Sequence, residues 1–207
     1  MNALVHWPHT FRPGTGAVVL ALHGTGGSEV EIASLAERIA PGAAVLAPRG
    51  RVSENGAGRW FRRAAEGVFD VDDVVFRADE LAGFLETAIA LYELDDLPVM
   101  ATGFSNGANM ALALGMLHPR LVPSIVAFSG MYPFGSRTAT RDLVGSRILL
   151  LNGTADPMAP QSSVDVLAEN LTTSGADLTR LSRPGKHGIL ADELATAEQW
   201  TRQFVSS

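Results

Sequence analysis

Short, unbroken apolar runs alternate along the chain with longer stretches in which apolar residues recur every three or four positions. The runs at 17–22, 44–47, 99–102, 124–128 and 147–151 show little apolar/polar alternation. A strand covered on both faces has that pattern, because neither row of side chains meets water. Between the runs, residues 30–39, 74–92, 106–117 and 162–172 carry apolar positions at helical spacing. Residues 177–182 read as a last strand and 192–204 as a last helix. This order predicts an α/β fold: a mostly parallel central sheet with helices on both faces and right-handed crossovers. The segment holding Pro8, Pro13 and Gly14 is expected to form a short antiparallel edge hairpin. No internal repeat or composition break marks a linker, so residues 1–207 read as one domain.

Composition narrows the class. A chain of 207 residues is long enough for one α/β domain with a sizeable core. Its formal charge of -6 argues against a nucleic-acid partner held by phosphate attraction. The absence of cysteine removes disulfides, thiolate metal sites and a cysteine nucleophile together, and is compatible with a reducing cytosol. Residues 1–9 lack a basic start followed by an apolar core, so no signal peptide is expected. The apolar runs are too short to span a bilayer. The expectation is a cytoplasmic protein without stable membrane insertion; a homodimer is compatible with the sequence. No His/Asp/Glu cluster has metal-ligand spacing, and neither a metal nor a cofactor is expected.

The chemistry concentrates in Gly103-Phe104-Ser105-Asn106-Gly107, which sits between an apolar run and a helix-compatible segment. Small residues at 103 and 107 permit a sharp strand-to-helix turn that pushes the serine Oγ out above the sheet edge. The following helix N-terminus adds partial positive charge where an oxyanion would form. A serine nucleophile needs a base, and of the five histidines only His187 follows both the serine and a suitable acid. It lies in a Pro- and Gly-rich turn between the last strand and the last helix. His118 ends the helix after the serine, where it complements the helix C-terminus. His6 and His9 precede the first apolar run and read as surface or edge residues, while His23 reads as a loop-bonding residue.

Asp156, in Gly153-Thr154-Ala155-Asp156-Pro157, leaves an apolar strand and would fix the tautomer of His187. The competing reading is a turn-forming aspartate before proline; Asp165 and Asp192 fit the order Ser, Asp, His less well. Two backbone N–H groups complete the expectation: Asn106, just after the serine, and Thr25, in the glycine-rich loop Leu22-His23-Gly24-Thr25-Gly26-Gly27. That loop lacks the endings of phosphate-binding and dinucleotide-binding motifs.

Taken together, the 22–27 loop, the 103–108 elbow, Asp156-Pro157 and Lys186-His187-Gly188 resemble the carboxylesterase/phospholipase branch of the α/β-hydrolase superfamily. That branch includes the small acyl-protein thioesterases. The segment from Pro48-Arg49-Gly50 through Arg59-Trp60-Phe61-Arg62-Arg63 to Glu66-Gly67-Val68-Phe69-Asp70 is more similar still to a bacterial subgroup of small esterases, some associated with quinone or hydroquinone stress. The resemblance extends from about residue 17 to residue 204. It implies an α/β-hydrolase fold and a triad at Ser105, Asp156 and His187. Where the thioesterase relatives often carry glutamine, this chain has Asn106. The resemblance also places the 59–63 loop beside the active site.

In that loop Trp60 and Phe61 are candidate substrate walls; the alternative is that they pack the loop down. Arg62, and Arg63 beside it, would meet an anionic substrate or pair with Glu66 and Asp70. Met131 and Met158 follow strand ends and would line an adaptable pocket or join the core. No long insertion lies between residues 128 and 147, so no large lid is expected, and an open site suits small to medium acyl or aryl esters. The sequence therefore predicts a serine carboxylesterase acting on a small-molecule ester. Thioesterase or lysophospholipase activity on the same triad, or ligand binding without turnover, are the alternatives.

Overall fold

The computed structural model describes residues 6–138 and 142–205. Seven strands form the main sheet in the order β1 (His9–Arg12), β3 (Ala44–Pro48), β2 (Val18–Leu22), β8 (Val99–Phe104), β9 (Ser124–Phe128), β10 (Arg147–Gly153) and β11 (Asp177–Arg183). All neighbours are parallel except β1, which runs antiparallel to β3. The helices are α1 (Glu29–Ile39), α2 (Val71–Leu91), α3 (Asn106–Leu117), α4 (Gln161–Thr173) and α5 (Ala191–Val205). This is the mostly parallel sheet with helices on both faces that the apolar runs predict, and no large lid is present among the described residues.

Alternate residues of each buried strand feed opposite faces, as a period of two requires. From β2, Val18, Leu20 and Leu22 pack with α2 and α3, while Val19 and Ala21 pack with α1 and α5. Helix α3 is buried on nearly every side, from Asn106 to Met116, which explains a sequence apolar all round rather than on one stripe. Helix α1 starts at a capping box: the Ser28 side chain accepts from the Glu31 N–H and the Glu31 carboxylate accepts from the Ser28 N–H.

Two features depart from expectation. The N-terminal strand is an antiparallel edge strand but not half of a hairpin, since β3 separates it from β2. Gly14 lets the chain make that crossing: a Cβ there would stand 2.3 Å from the Ala43 carbonyl. The stretch after β3 is not one loop but two small hairpins, β4 (Val52–Glu54) with β5 (Ala57–Arg59), and β6 (Arg63–Ala65) with β7 (Val68–Phe69).

The chain passes from β2 to β3 on one side and then to β8 on the other. The strand order therefore reverses between β2 and β8, whose ends Leu22 and Gly103 lie side by side. A crevice at the carboxyl ends of the strands is expected at such a switch point. The loops that follow β2 and β8 carry the sequence-predicted chemistry.

Candidate active site

Ser105 sits between β8 and α3 with φ 55° and ψ -118°. A non-glycine residue held at positive φ is strained, and such strain collects at functional turns. Glycines on both sides make the turn possible. A Cβ on Gly103 would lie 2.5 Å from the Gly107 backbone, and one on Gly107 would lie 2.0 Å from the Leu22 carbonyl oxygen. The elbow is thus pressed against the end of β2. It is pinned from the other side by the Ser105 N–H donating to the Phe128 carbonyl at 2.9 Å.

Asp156 is buried, and its two oxygens have separate duties. Oδ2 lies 2.7 Å from His187 Nδ1. Oδ1 accepts from the backbone N–H groups of Met158 at 2.8 Å and Ala159 at 3.2 Å. The turn-forming aspartate and the histidine partner, alternatives in the sequence, are one residue using different atoms. With Nδ1 donating to a carboxylate, His187 Nε2 carries the bare lone pair. That atom is buried and has no hydrogen-bond partner, so the Ser105 hydroxyl is not bonded to it in this arrangement. The Phe104 ring packs on the His187 ring with centroids 4.9 Å apart.

The loops bearing the acid and the histidine are laced together. Thr154 N–H donates to Arg183 C=O and Ala155 N–H to Gly185 C=O. A Cβ on Gly153 would stand 2.5 Å from the Gly185 oxygen, so only glycine allows this approach. The Gly188 carbonyl, just past the histidine, accepts from Ser129 Oγ at 3.1 Å and from the Arg183 guanidinium at 2.8 Å. Arg183 in turn pairs with the buried Glu193, whose carboxylate takes the Leu190 N–H. Neither Ser129 nor Arg183 was picked out from sequence. Ser129 has φ 52°, a left-handed conformation that only the folded backbone reveals.

Among the described residues, neither the Thr25 N–H nor the Asn106 N–H has a protein acceptor. Asn106 is the first residue of α3, where no intrahelical acceptor exists. Its side-chain Oδ1 accepts from the Trp60 N–H at 2.8 Å. No group of three His, Asp or Glu side chains suited to a metal ion occurs among the described residues.

The candidate substrate residues separate in the structure. Trp60 and Phe61 are buried, 2% and 0% exposed, so the packing reading accounts for them rather than an open wall. Trp60 Nε1 donates to the His23 carbonyl at 2.8 Å, which sets the loop against the β2 end. Arg62 is exposed and pairs with Asp70 and Asp73, and Arg63 pairs with Glu54 and Glu66. These pairings meet the alternative to an anionic-substrate contact. The Arg62 guanidinium and the Asp73 N–H hold the Asp70 carboxyl below its ordinary range, the backbone bond contributing more. Met131 is buried with Phe69, Ala159 and Val164, whereas Met158 is 38% exposed beside Asp156. His118 caps α3 and contacts Asp79 at 2.8 Å; His9 lies on the edge strand β1, between Trp7 C=O and Tyr92 Oη.

Known proteins share this sequence pattern and fold. The chain is 33% identical over 198 residues to MhqD of Bacillus subtilis strain 168, which is described as a hydrolase, covering 95% of this chain and 98% of that protein. It is 30% identical over 171 residues to the esterase YpfH of Escherichia coli K12, covering 78% of this chain and 71% of that protein. The crystal structure of the Bacillus cereus carboxylesterase superposes with a TM-score of 0.89 at 34% identity, over 96% of this chain and 94% of that one. The family model for phospholipases and carboxylesterases matches residues 12–205, and the chain is a hydrolase belonging to that family.

Proposed function

We propose that the protein is a serine carboxylesterase in which Ser105 is the nucleophile, His187 the general base and acid, and Asp156 the residue that orients the histidine. The single observation that carries this reading is the state of His187. One ring nitrogen is bonded to a buried carboxylate, and the other is buried without a partner. Leaving a buried acceptor unpaired costs about 1–3 kcal/mol. A base awaiting a proton from a neighbouring hydroxyl gives that cost a purpose. Hydrogen bonds of this kind are commonly long or misaligned without substrate.

In the reaction, a turn of the Ser105 side chain brings Oγ to Nε2. The Oγ attacks the ester carbonyl as its proton passes to Nε2, and the oxyanion that forms meets the N–H groups of Thr25 and Asn106. His187 then protonates the leaving alcohol. Water, deprotonated by the same nitrogen, releases the acid and restores the serine. Asp156 holds the ring in place through Oδ2, 2.7 Å from Nδ1, and its carboxylate lies where the imidazolium charge forms.

A neutral ester of small or medium size is the substrate class that best suits a site without a large lid. Among the described residues no helix is long and apolar enough to cross a membrane. The test is labelling by a fluorophosphonate together with a panel of p-nitrophenyl esters of increasing chain length, run beside thioesters and aryl esters. Wild type should be labelled at Ser105 and should turn over short esters without interfacial activation. Ser105→Ala should fold normally and lose roughly four orders of magnitude in turnover or more. A folded alanine variant with near-wild-type activity would sink the assignment.

A further inference from the structure

His23 is buried, 2% exposed, immediately before the Gly24-Thr25 loop, and lies outside the proposed triad. Its Nε2 accepts from the Gly50 N–H at 2.9 Å and its Nδ1 lies 2.8 Å from the Gly24 carbonyl oxygen. A backbone N–H can only donate and a carbonyl can only accept. The ring must therefore be neutral, with the proton on Nδ1. The His23 carbonyl meanwhile takes the Trp60 indole N–H, and the next turn of the loop is tied by Gly26 N–H to Gly58 C=O at 2.9 Å. One side chain thus joins the loop after β2 to the loop after β3, and its own backbone joins both to the β4–β5 hairpin.

We propose that His23 is the positioning residue of the oxyanion loop, and that its protonation releases that loop and lowers activity on the acid side. The inference rests on the reading of Ser105 and Thr25 given above. A proton on Nε2 would set one donor against another across 2.9 Å, so the bond to Gly50 cannot survive in the charged form. The Gly24 carbonyl and the peptide that presents the Thr25 N–H then lose their fixed anchor. The charged groups facing the ring are Glu29 and Glu31 from α1, which favour its protonation, and Arg49 from the loop after β3, which opposes it. The hairpin presents the Gly58 backbone, and Trp60, the residue after it, presents its ring with centroids 5.2 Å apart. Burial outweighs the bond to the Gly24 carbonyl and the two acids, and holds the His23 pKa below 6.5. The folded state then binds this proton less readily than the unfolded state. The contribution to stability is complete above about pH 6.5 and is lost as the pH falls from there through the folded pKa.

Two variants test the proposal. His23→Gln places an amide oxygen where Nε2 accepts and cannot titrate; His23→Ala removes the link. At pH 8, with p-nitrophenyl acetate and activity expressed per folded molecule, His23→Ala should lower kcat roughly 10- to 100-fold with little change in KM. That is less than the loss of an oxyanion donor, because the donor is displaced rather than deleted. His23→Gln should recover most of that loss. In wild type the acid limb of log(kcat/KM) should steepen toward a slope of about two, the additional proton being that of His23, and in His23→Gln it should stay near one. If His23→Ala does not fold, the glutamine variant still carries the test through its acid limb. A nitrogen-15 correlation spectrum of the wild-type imidazoles should show His23 with its proton on Nδ1. An unchanged kcat in folded His23→Ala, or a two-proton acid limb in His23→Gln, overturns the proposal. If these variants behave as wild type while Ser105→Ala is inactive, only the His23 inference fails. If Ser105→Ala is active, the underlying reading of the site fails.

Discussion

Replacing Gly107 by alanine should damage both stability and turnover, and the size of the effect follows from where the new methyl would go. The added Cβ would lie 2.0 Å from the Leu22 carbonyl oxygen and 2.5 Å from that of His23. Carbon and oxygen tolerate an approach of about 3.3 Å, so the elbow and the end of β2 must part by roughly 1.3 Å. Neither can yield cheaply, because both obstacles are backbone and β2 is paired on both edges. Overpacking of this kind costs about 1–3 kcal/mol, and an unyielding contact belongs at the top of that range. The helix propensity of alanine returns at most about 1 kcal/mol. A net loss near 2 kcal/mol corresponds to a fall in Tm of roughly 4–8 °C for a chain of this size. Turnover should fall by about 100-fold, because an ångström of displacement moves the proposed nucleophile away from the proposed oxyanion donors. Gly115→Ala is the control on the same helix. Its Cβ would meet the terminal methyl of Ile125 at 2.4 Å, the movable end of a side chain, and the Val122 carbonyl oxygen at 3.2 Å, which need give only by a few tenths of an ångström. It should stay within about 1 kcal/mol of wild type and keep its activity. Urea unfolding and ester turnover on both variants check the argument; equal behaviour of the pair would refute it.

Asp156→Asn should keep the turn, since the amide oxygen still accepts from Met158 and Ala159. It should nevertheless lose about four orders of magnitude in kcat by presenting a donor to Nδ1 and favouring the wrong tautomer. Asp165→Asn, which touches only the exposed pair with Arg180, should behave as wild type, and the reverse result would move the acid. Trp60→Ala should destabilise by about 3–5 kcal/mol on denaturation. It should reduce activity evenly across acyl chain lengths, as a residue that anchors a loop must. A loss confined to medium-chain or aromatic esters would instead make Trp60 a substrate wall.

The sequence by itself determined what is encoded locally. Period and polarity mark strands and helices, because whether each residue faces core or water leaves a trace every two or 3.6 positions. The 103–107 elbow was legible for the same reason: glycine, serine and glycine, placed between a buried run and a helix, describe one turn. Their order along the chain and the turn residues around them singled out Asp156 and His187, which the fold brings to 2.7 Å of each other. Contacts between segments distant in sequence leave no such trace. That β1 joins β3 rather than β2, and that Trp60 and Phe61 are buried, follow from which faces meet. The same holds for the bond from His23 to Gly50, 27 residues away, and for the Gly188 carbonyl held by Ser129 from 59 residues away. Hydrogen bonds and packing depend on positions in space, and no window of sequence contains both partners. The residues of the proposed triad could therefore be named from the chain, while the contacts that hold them in place were decided by the tertiary structure.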